Sequence, residues 1–203
     1  MPVEELTEAL WSAYQAEVML RDAKPINDEE TFSHLRQAAE WLANGNGKFG
    51  LMLQGLYGNG KTTLMLAICH LVNYLYASPN RDERYEFMIA DARKISRLGS
   101  QKDSETIYRT MCQTPLLAID DLGEEPAEIL NYGMVLTPVK DLLLERYRAR
   151  RLTIVTTNLV NSEKNPQLRE RYGQRMVDRF REMMQIIVFR NASYRGLTGR
   201  RPS

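Results

Sequence analysis

Residues 55 to 62 read Gly-Leu-Tyr-Gly-Asn-Gly-Lys-Thr and match the phosphate-binding pattern G-x-x-x-x-G-K-[ST] in full. In such a loop Gly55, Gly58 and Gly60 leave space for backbone N–H groups, Asn59 included, to wrap a polyphosphate. Lys61 is of a length to reach the β- and γ-phosphates, and the Thr62 hydroxyl suits Mg²⁺. Thr63 adds a second hydroxyl in the first helical turn. The flanks agree with the loop. An apolar run, Phe49 to Gln54, precedes it, and Thr62 to Leu75 carries helical apolar spacing, so a helix N-terminus is aimed at the bound anion. Nucleotide binding is the first function these residues imply.

Three further clusters lie where a parallel sheet would bring them to the same crevice. The apolar run Pro115 to Ile119 ends in Asp120-Asp121-Leu-Gly123. Asp120 is placed to hold Mg²⁺ beside Thr62, directly or through water, and Asp121 to polarise an attacking water. The plainer reading of the pair is a polar turn. Leu152 to Thr156 runs into Thr157-Asn158, where the Asn158 amide could orient water or sense a γ-phosphate; a turn-forming asparagine is the rival reading. From Arg169 to Arg181 the chain is rich in arginine, and Arg175 and Arg179, four apart, share a helix face. Guanidinium groups there could cross a subunit boundary and offset charge on a neighbour's γ-phosphate, or merely solvate the helix.

The elements that must position these groups follow from periodicity. Helices are expected over Glu4–Leu20, Asp28–Ala43 (capped by Asn27 or Asp28), Thr62–Leu75, Asp91–Leu98, Glu105–Cys112, Pro138–Arg150 and Gln167–Met184, the last a single helix. Strands are expected over Phe49–Gln54, Tyr85–Ala90, Pro115–Ile119, Leu152–Thr156 and Gln185–Phe189. Alternation of this kind gives an α/β three-layer domain, a parallel sheet with helices on both faces.

With 203 residues and 43% hydrophobic content, one such domain is the simplest account. The formal net charge is +1, but residues 1–45 hold 3 basic and 9 acidic side chains while residues 141–203 hold 14 and 6. That polarity suits head-to-tail subunit contacts or a basic face for a polyanion. Cys69 and Cys112 sit in apolar stretches without a partner at metal or redox spacing and read as core residues of a reducing compartment; His34 and His70 read as packing or surface residues. No apolar run approaches the ~18 residues of a membrane span and no signal-peptide pattern opens the chain, so a cytoplasmic protein without a membrane partner is expected.

Taken in order, Gly55–Thr62, Leu116–Gly123, Ile154–Asn158, Tyr172–Arg179 and Ser193–Gly199 resemble the motifs of the DnaC-type bacterial helicase loaders, and the chain is also similar to the IstB transposition ATPases, both groups being AAA+ proteins. The resemblance covers roughly residues 25–199, leaving residues 1–24 as a short helical segment available for partner contact. It implies a five-stranded sheet ordered 5-1-4-3-2, ATP with Mg²⁺, self-association into a ring or spiral, single-stranded DNA binding and a replicative DNA helicase as partner. By the same resemblance Lys61 and Thr62 match the Walker A pair, Asp120 the Walker B metal residue and Asn158 the first sensor. Arg179 matches the arginine finger, with Arg175 close behind, and Arg195 resembles a nucleotide-sensing or DNA-facing arginine. Asp121 stands where many AAA+ proteins carry glutamate.

The leading reading is therefore an AAA+ ATPase acting as a helicase loader in replication initiation or restart. An IstB-like ATPase on duplex DNA, a monomeric P-loop kinase for a small molecule and a nucleotide-switched DNA-binding adaptor with negligible turnover are the alternatives.

Overall fold

The computed structural model describes residues 1–44, 47–77, 86–160 and 162–194. Five strands, β1 (Gly50–Gly55), β2 (Met88–Asp91), β3 (Leu116–Leu122), β6 (Leu152–Thr157) and β7 (Met184–Phe189), form one parallel sheet in the order β2-β3-β6-β1-β7. Counted along the chain as strands one to five, that is the order 5-1-4-3-2. The α/β three-layer expectation is met.

Side chains alternate across each strand, so one strand feeds two cores. Leu51 and Leu53 of β1 pack with Ala118, Ile154 and Ile187 under α1 (Val3–Met19), α2 (Glu29–Asn44) and α3 (Lys61–Leu75). Met52 faces the other way, joining Leu117, Ile119 and Val155 under α4 (Ala92–Ser100), α5 (Glu105–Gln113), α6 (Pro138–Arg148), α7 (Gln167–Tyr172) and α8 (Gln174–Met183). Leu6, Leu10 and Tyr14 of α1 are buried in the first of these cores. Cys69 and Cys112 are both buried and unpaired, as read from sequence. Among the described residues no helix is long and apolar enough to cross a membrane.

Boundaries agree with expectation to within a few residues at most elements, and Asp28, whose Oδ1 accepts from the Thr31 N–H at 2.7 Å, is the cap of α2. Two regions differ. The single helix expected over Gln167–Met184 is two, because Gly173 adopts φ 82° and ψ 158°, a conformation open essentially to glycine alone. A hairpin, β4 (Ile129–Asn131) paired with β5 (Met134–Leu136), stands between β3 and α6. Its turn residues Tyr132 and Gly133 have φ of 48° and 80°, the paired left-handed geometry of a two-residue hairpin loop.

Opposite the functional edge of the sheet, α6 carries a fully buried guanidinium, Arg146. It donates to the carbonyls of Met111, Thr114 and Leu152 at 3.0, 2.7 and 2.6 Å and to Thr153 Oγ1 at 2.9 Å. The Met111 carbonyl is one of those that the last turn of α5 leaves outside its own helical ladder. Burial, then the neighbouring Arg151, lowers the Arg146 pKa to about 10.

Candidate functional site

The loop after β1 turns back on itself and enters α3 at Gly60, whose φ is 97°. A Cβ there would lie 2.8 Å from the Tyr14 Oη, so glycine serves both the backbone and the approach of α1. The N-terminal turn of α3 thereby faces a crevice of about 820 Å³, where the N–H groups of a helix start can meet an anion. That is ample for a nucleotide.

The sequence-predicted loop residues Gly58, Asn59, Gly60, Lys61, Thr62 and Thr63 line this crevice. Gly55 instead sits behind it, its Cβ position blocked by the Phe189 carbonyl at 2.5 Å. Lys61 is buried, and its Nζ donates to the Leu56 carbonyl at 2.6 Å and to Asn59 Oδ1 at 3.1 Å, both neutral acceptors that an anionic oxygen would outcompete. Asn59 is buried as well. Its Nδ2 reaches the Phe189 carbonyl at 3.3 Å and its own carbonyl accepts from Asn191 Nδ2 at 3.1 Å, which ties the loop to the end of β7.

The second cluster meets the first at Thr62, whose Oγ1 donates to Asp120 Oδ1 at 3.0 Å. The same Oδ1 accepts from Thr156 Oγ1 at 2.5 Å, and Thr156 Oγ1 in turn accepts from the Asp121 N–H at 2.9 Å. This arrangement follows from a register shift in the β3–β6 ladder between Ile119 and Leu122. The bulge takes Asp121 to φ 53°, removes its N–H from the ladder and lets a threonine hydroxyl stand in for the missing carbonyl. Asp120 and Asp121 consequently both face the crevice. Partial desolvation, then the Asp120 and Glu124 carboxylates, raises the Asp121 pKa above the ordinary aspartate value.

Asn158 also lines the crevice, and its Nδ2 is buried without a hydrogen-bond partner among the described residues. A buried donor left open beside two carboxylates and a phosphate-type loop fits a ligand or water that it would bind.

Sequence reasoning missed several residues that the fold brings here. Tyr57 Oη donates to Glu124 Oε1 at 2.6 Å, and Arg93 donates to Glu124 Oε2 from Nη2 at 2.9 Å and to the Glu124 carbonyl from Nε at 3.1 Å. The Tyr57 hydroxyl first, and Arg93 after it, lowers the Glu124 pKa. At the other end, α1 and the segment after it supply a wall of Tyr14, Val18, Ala23 and Ile26, and Arg21 Nη1 donates to Thr63 Oγ1 at 2.8 Å. Tyr194 closes that end: its N–H donates to the Gly58 carbonyl and its hydroxyl to Asp28 Oδ2, both at 2.8 Å. Apolar walls beside a phosphate loop suit a flat base.

The arginine cluster is elsewhere. Arg175 and Arg179 are carried by α8 and neither lines the crevice of its own chain; Arg179 lies over the Tyr147 ring, 5.6 Å from its centroid. A buried carboxylate connects the two regions. Glu125 accepts from the Gly123 N–H at 2.8 Å and from Tyr172 Oη at 2.5 Å, and its backbone carbonyl accepts from Arg171 Nη2, so the turn after the paired aspartates is tied directly to α7. Arg195 lies outside the described residues.

Comparison with solved structures places this architecture. A crystal structure of the DnaC helicase loader superposes with a TM-score of 0.64 at 21% identity, covering 89% of this chain and 98% of that one. The chain shares the fold of that structure. A crystal structure of DnaI matches at TM-score 0.60 and 20% identity over 96% of this chain and 94% of that one. The replication initiator DnaA, in a structure bound to AMPPCP and single-stranded DNA, matches at 0.57 and 15% identity, over 83% of this chain and 49% of its own. No family model and no curated protein matches the sequence.

Proposed function

We propose that this protein is an AAA+ ATPase that binds ATP with Mg²⁺ in the crevice and hydrolyses it at subunit interfaces, acting as a DnaC-like loader of a replicative DNA helicase on single-stranded DNA. The observation that carries the reading is the hydroxyl–carboxylate pair Thr62–Asp120 at 3.0 Å, beside buried Lys61 and the open Nδ2 of Asn158. Oxygen donors of that kind, one neutral and one acidic, suit a magnesium ion that shares its remaining positions with phosphate and water. When bound, Mg²⁺ would neutralise charge on the β- and γ-phosphates.

The chain's own groups divide the remaining work. Lys61 exchanges its loop acceptors for phosphate oxygens, while the first turn of α3 adds backbone donors. Thr156 fixes both aspartates, and Asp121 and Asn158, which line the same crevice, would place the attacking water. Catalysis by such a set is positioning and charge stabilisation. The placement of Arg175 and Arg179 outside their own crevice supports a finger supplied to a neighbour, and the neighbours' DnaC and DnaI identities support the loader role at the level of fold. Residues 1–24 belong to this reading as a helical segment whose inner face walls the base end and whose exposed Met19 and Leu20 are available to a partner.

The test is the ATPase rate against protein concentration for the wild type, Arg179→Ala, Asp121→Ala and the two variants mixed. Activity that rises faster than linearly and returns in part on mixing is expected. A linear rate that Arg179→Ala leaves unchanged would refute the shared site and favour a monomeric P-loop kinase. Preference for single-stranded over duplex DNA, falling steeply with salt, separates the loader from an IstB-like regulator.

A further inference from the structure

The Tyr57–Glu124–Arg93 bridge has no role in the function proposed above, yet it joins three separate walls of the crevice. Tyr57 belongs to the phosphate loop, Glu124 to the turn after β3, and Arg93 to the first turn of α4, and all three line the crevice with Lys61 and Asp121. It lies at the end where Asp121 and Asn158 lie, since Asp121 feels the charge of both Glu124 and Arg93 and all of these residues line the same crevice. A guanidinium is thus already held inside the nucleotide site of its own chain, on an internal carboxylate.

The strength of that hold decides what happens when an anion arrives. The Arg93 side chain is 69% exposed and the Glu124 side chain 30%, so theirs is a solvated ion pair. Such pairs contribute at most about 1 kcal/mol. A terminal phosphate beside Lys61 presents more negative charge and more acceptor oxygens than one carboxylate, and binds a guanidinium through two parallel N–H donors. Arg93 should leave the weaker acceptor for the stronger.

We propose that Arg93 is a terminal-phosphate ligand supplied in cis and stored on Glu124, so that binding of a nucleoside triphosphate, but not of a diphosphate, draws Arg93 off Glu124 and releases the Tyr57 bridge across the crevice. The inference rests on the crevice being the nucleotide site. Glu124 then competes with the ligand for Arg93, which gives the model a sign that simple charge effects lack. Removing the competitor tightens triphosphate binding only if Arg93 is present to be released.

The experiment is calorimetric titration with AMPPCP and with ADP, each with Mg²⁺, of the wild type, Arg93→Ala, Glu124→Gln, the double variant and Lys61→Ala. Arg93 is exposed and Glu124 partly so, and variants at these two positions keep their fold. Arg93→Ala should weaken AMPPCP about tenfold, the loss of one charge-assisted contact, and leave ADP within about twofold. Glu124→Gln should tighten AMPPCP about two- to fivefold, the strength of a solvated pair. The double variant should match Arg93→Ala alone. Tightening by Glu124→Gln that persists without Arg93 would mean plain repulsion of the ligand by Glu124 and would overturn the proposal, as would an unchanged AMPPCP-to-ADP ratio in Arg93→Ala. If Lys61→Ala also binds like the wild type, the failure belongs to the nucleotide site itself.

Discussion

Thr156→Val replaces a hydroxyl by a methyl of nearly the same shape at a side chain that is fully buried, so its effect isolates two hydrogen bonds. One is the 2.5 Å donation to Asp120 Oδ1 and the other the 2.9 Å acceptance from the Asp121 N–H. A bond to a carboxylate is worth about 1.5–3 kcal/mol and a neutral one about 0.5–1.5 kcal/mol, so the variant should lose roughly 2–4 kcal/mol of folding stability. Thr157 provides the control within the same strand. It is equally buried and its hydroxyl also makes two bonds, donating to the Leu122 carbonyl at 2.7 Å and accepting from the Leu159 N–H at 3.1 Å, neither of them to a carboxylate. Thr157→Val should therefore lose less, about 1–3 kcal/mol. Urea denaturation midpoints with a common slope measure the difference. Activity separates the pair further, because only Thr156 holds Asp121 in its left-handed backbone conformation and only Thr156 shares Asp120 with Thr62. ATP turnover should fall at least about tenfold in Thr156→Val, the equivalent of ~1.4 kcal/mol in the barrier, and much less in Thr157→Val. Equal stability losses together with equal turnover would refute the claim that the bulge and its hydroxyl prop form the catalytic edge.

Two other perturbations test the frame. Arg146→Met should destabilise by about 3–5 kcal/mol, because it strips a buried donor set from the carbonyls of Met111, Thr114 and Leu152; Arg146→Lys should recover only part of that loss in the same denaturation assay, since an ammonium lacks the planar fork. His34 donates from Nε2 to the Val188 carbonyl at 3.3 Å and stacks on Phe189 with centroids 3.9 Å apart. Burial lowers its pKa below 6.5, outweighing the opposite pull of the Val188 bond, Glu30 and Asp28. The folded state therefore resists a proton that the unfolded chain accepts near 6.5, so this contribution is complete above pH 6.5 and is lost as the pH falls through the folded-state value. His34→Gln should flatten the dependence of the melting temperature on pH in that interval, and an unchanged profile would assign it to other groups.

The strands and their layers were legible because short apolar runs alternate with helical stripes, a pattern with few foldings open to it, whereas the order 5-1-4-3-2 followed only from the resemblance to the helicase loaders. The misreadings came from single residues. Gly173 breaks an otherwise continuous helical pattern, and its only sequence mark is a single glycine between Tyr172 and Gln174, which periodicity treats as tolerable. The β4–β5 hairpin turns on Tyr132-Gly133, where the usual first residue would be asparagine or aspartate, and its strands are three residues long. Alternation over three residues is too brief to stand out. Tyr132 is 99% exposed in that turn, so no core contact announces it either.

In the site, legibility divides by whether a residue acts through a local motif or through a distant contact. Lys61, Thr62 and Asp120 sit in patterns whose spacing already encodes their geometry, and the structure brings Thr62 and Asp120 to 3.0 Å across 58 residues of chain. Tyr57, Arg93 and Glu124 carry no such spacing. Each is an ordinary surface residue until the strand order β2-β3-β6-β1 places the turn after β3 between α4 and the phosphate loop. Arg21 and Tyr14 are hidden for the same reason, since α1 reaches the crevice only by packing along α3. The residues proposed to bind phosphate are thus fixed by local backbone chemistry, whereas those proposed to decide between a triphosphate and a diphosphate depend on side chains meeting across the sheet edge. Nucleotide discrimination can in consequence drift with single surface substitutions while the phosphate loop stays intact, and the Arg93–Glu124 pair is where such drift would appear first.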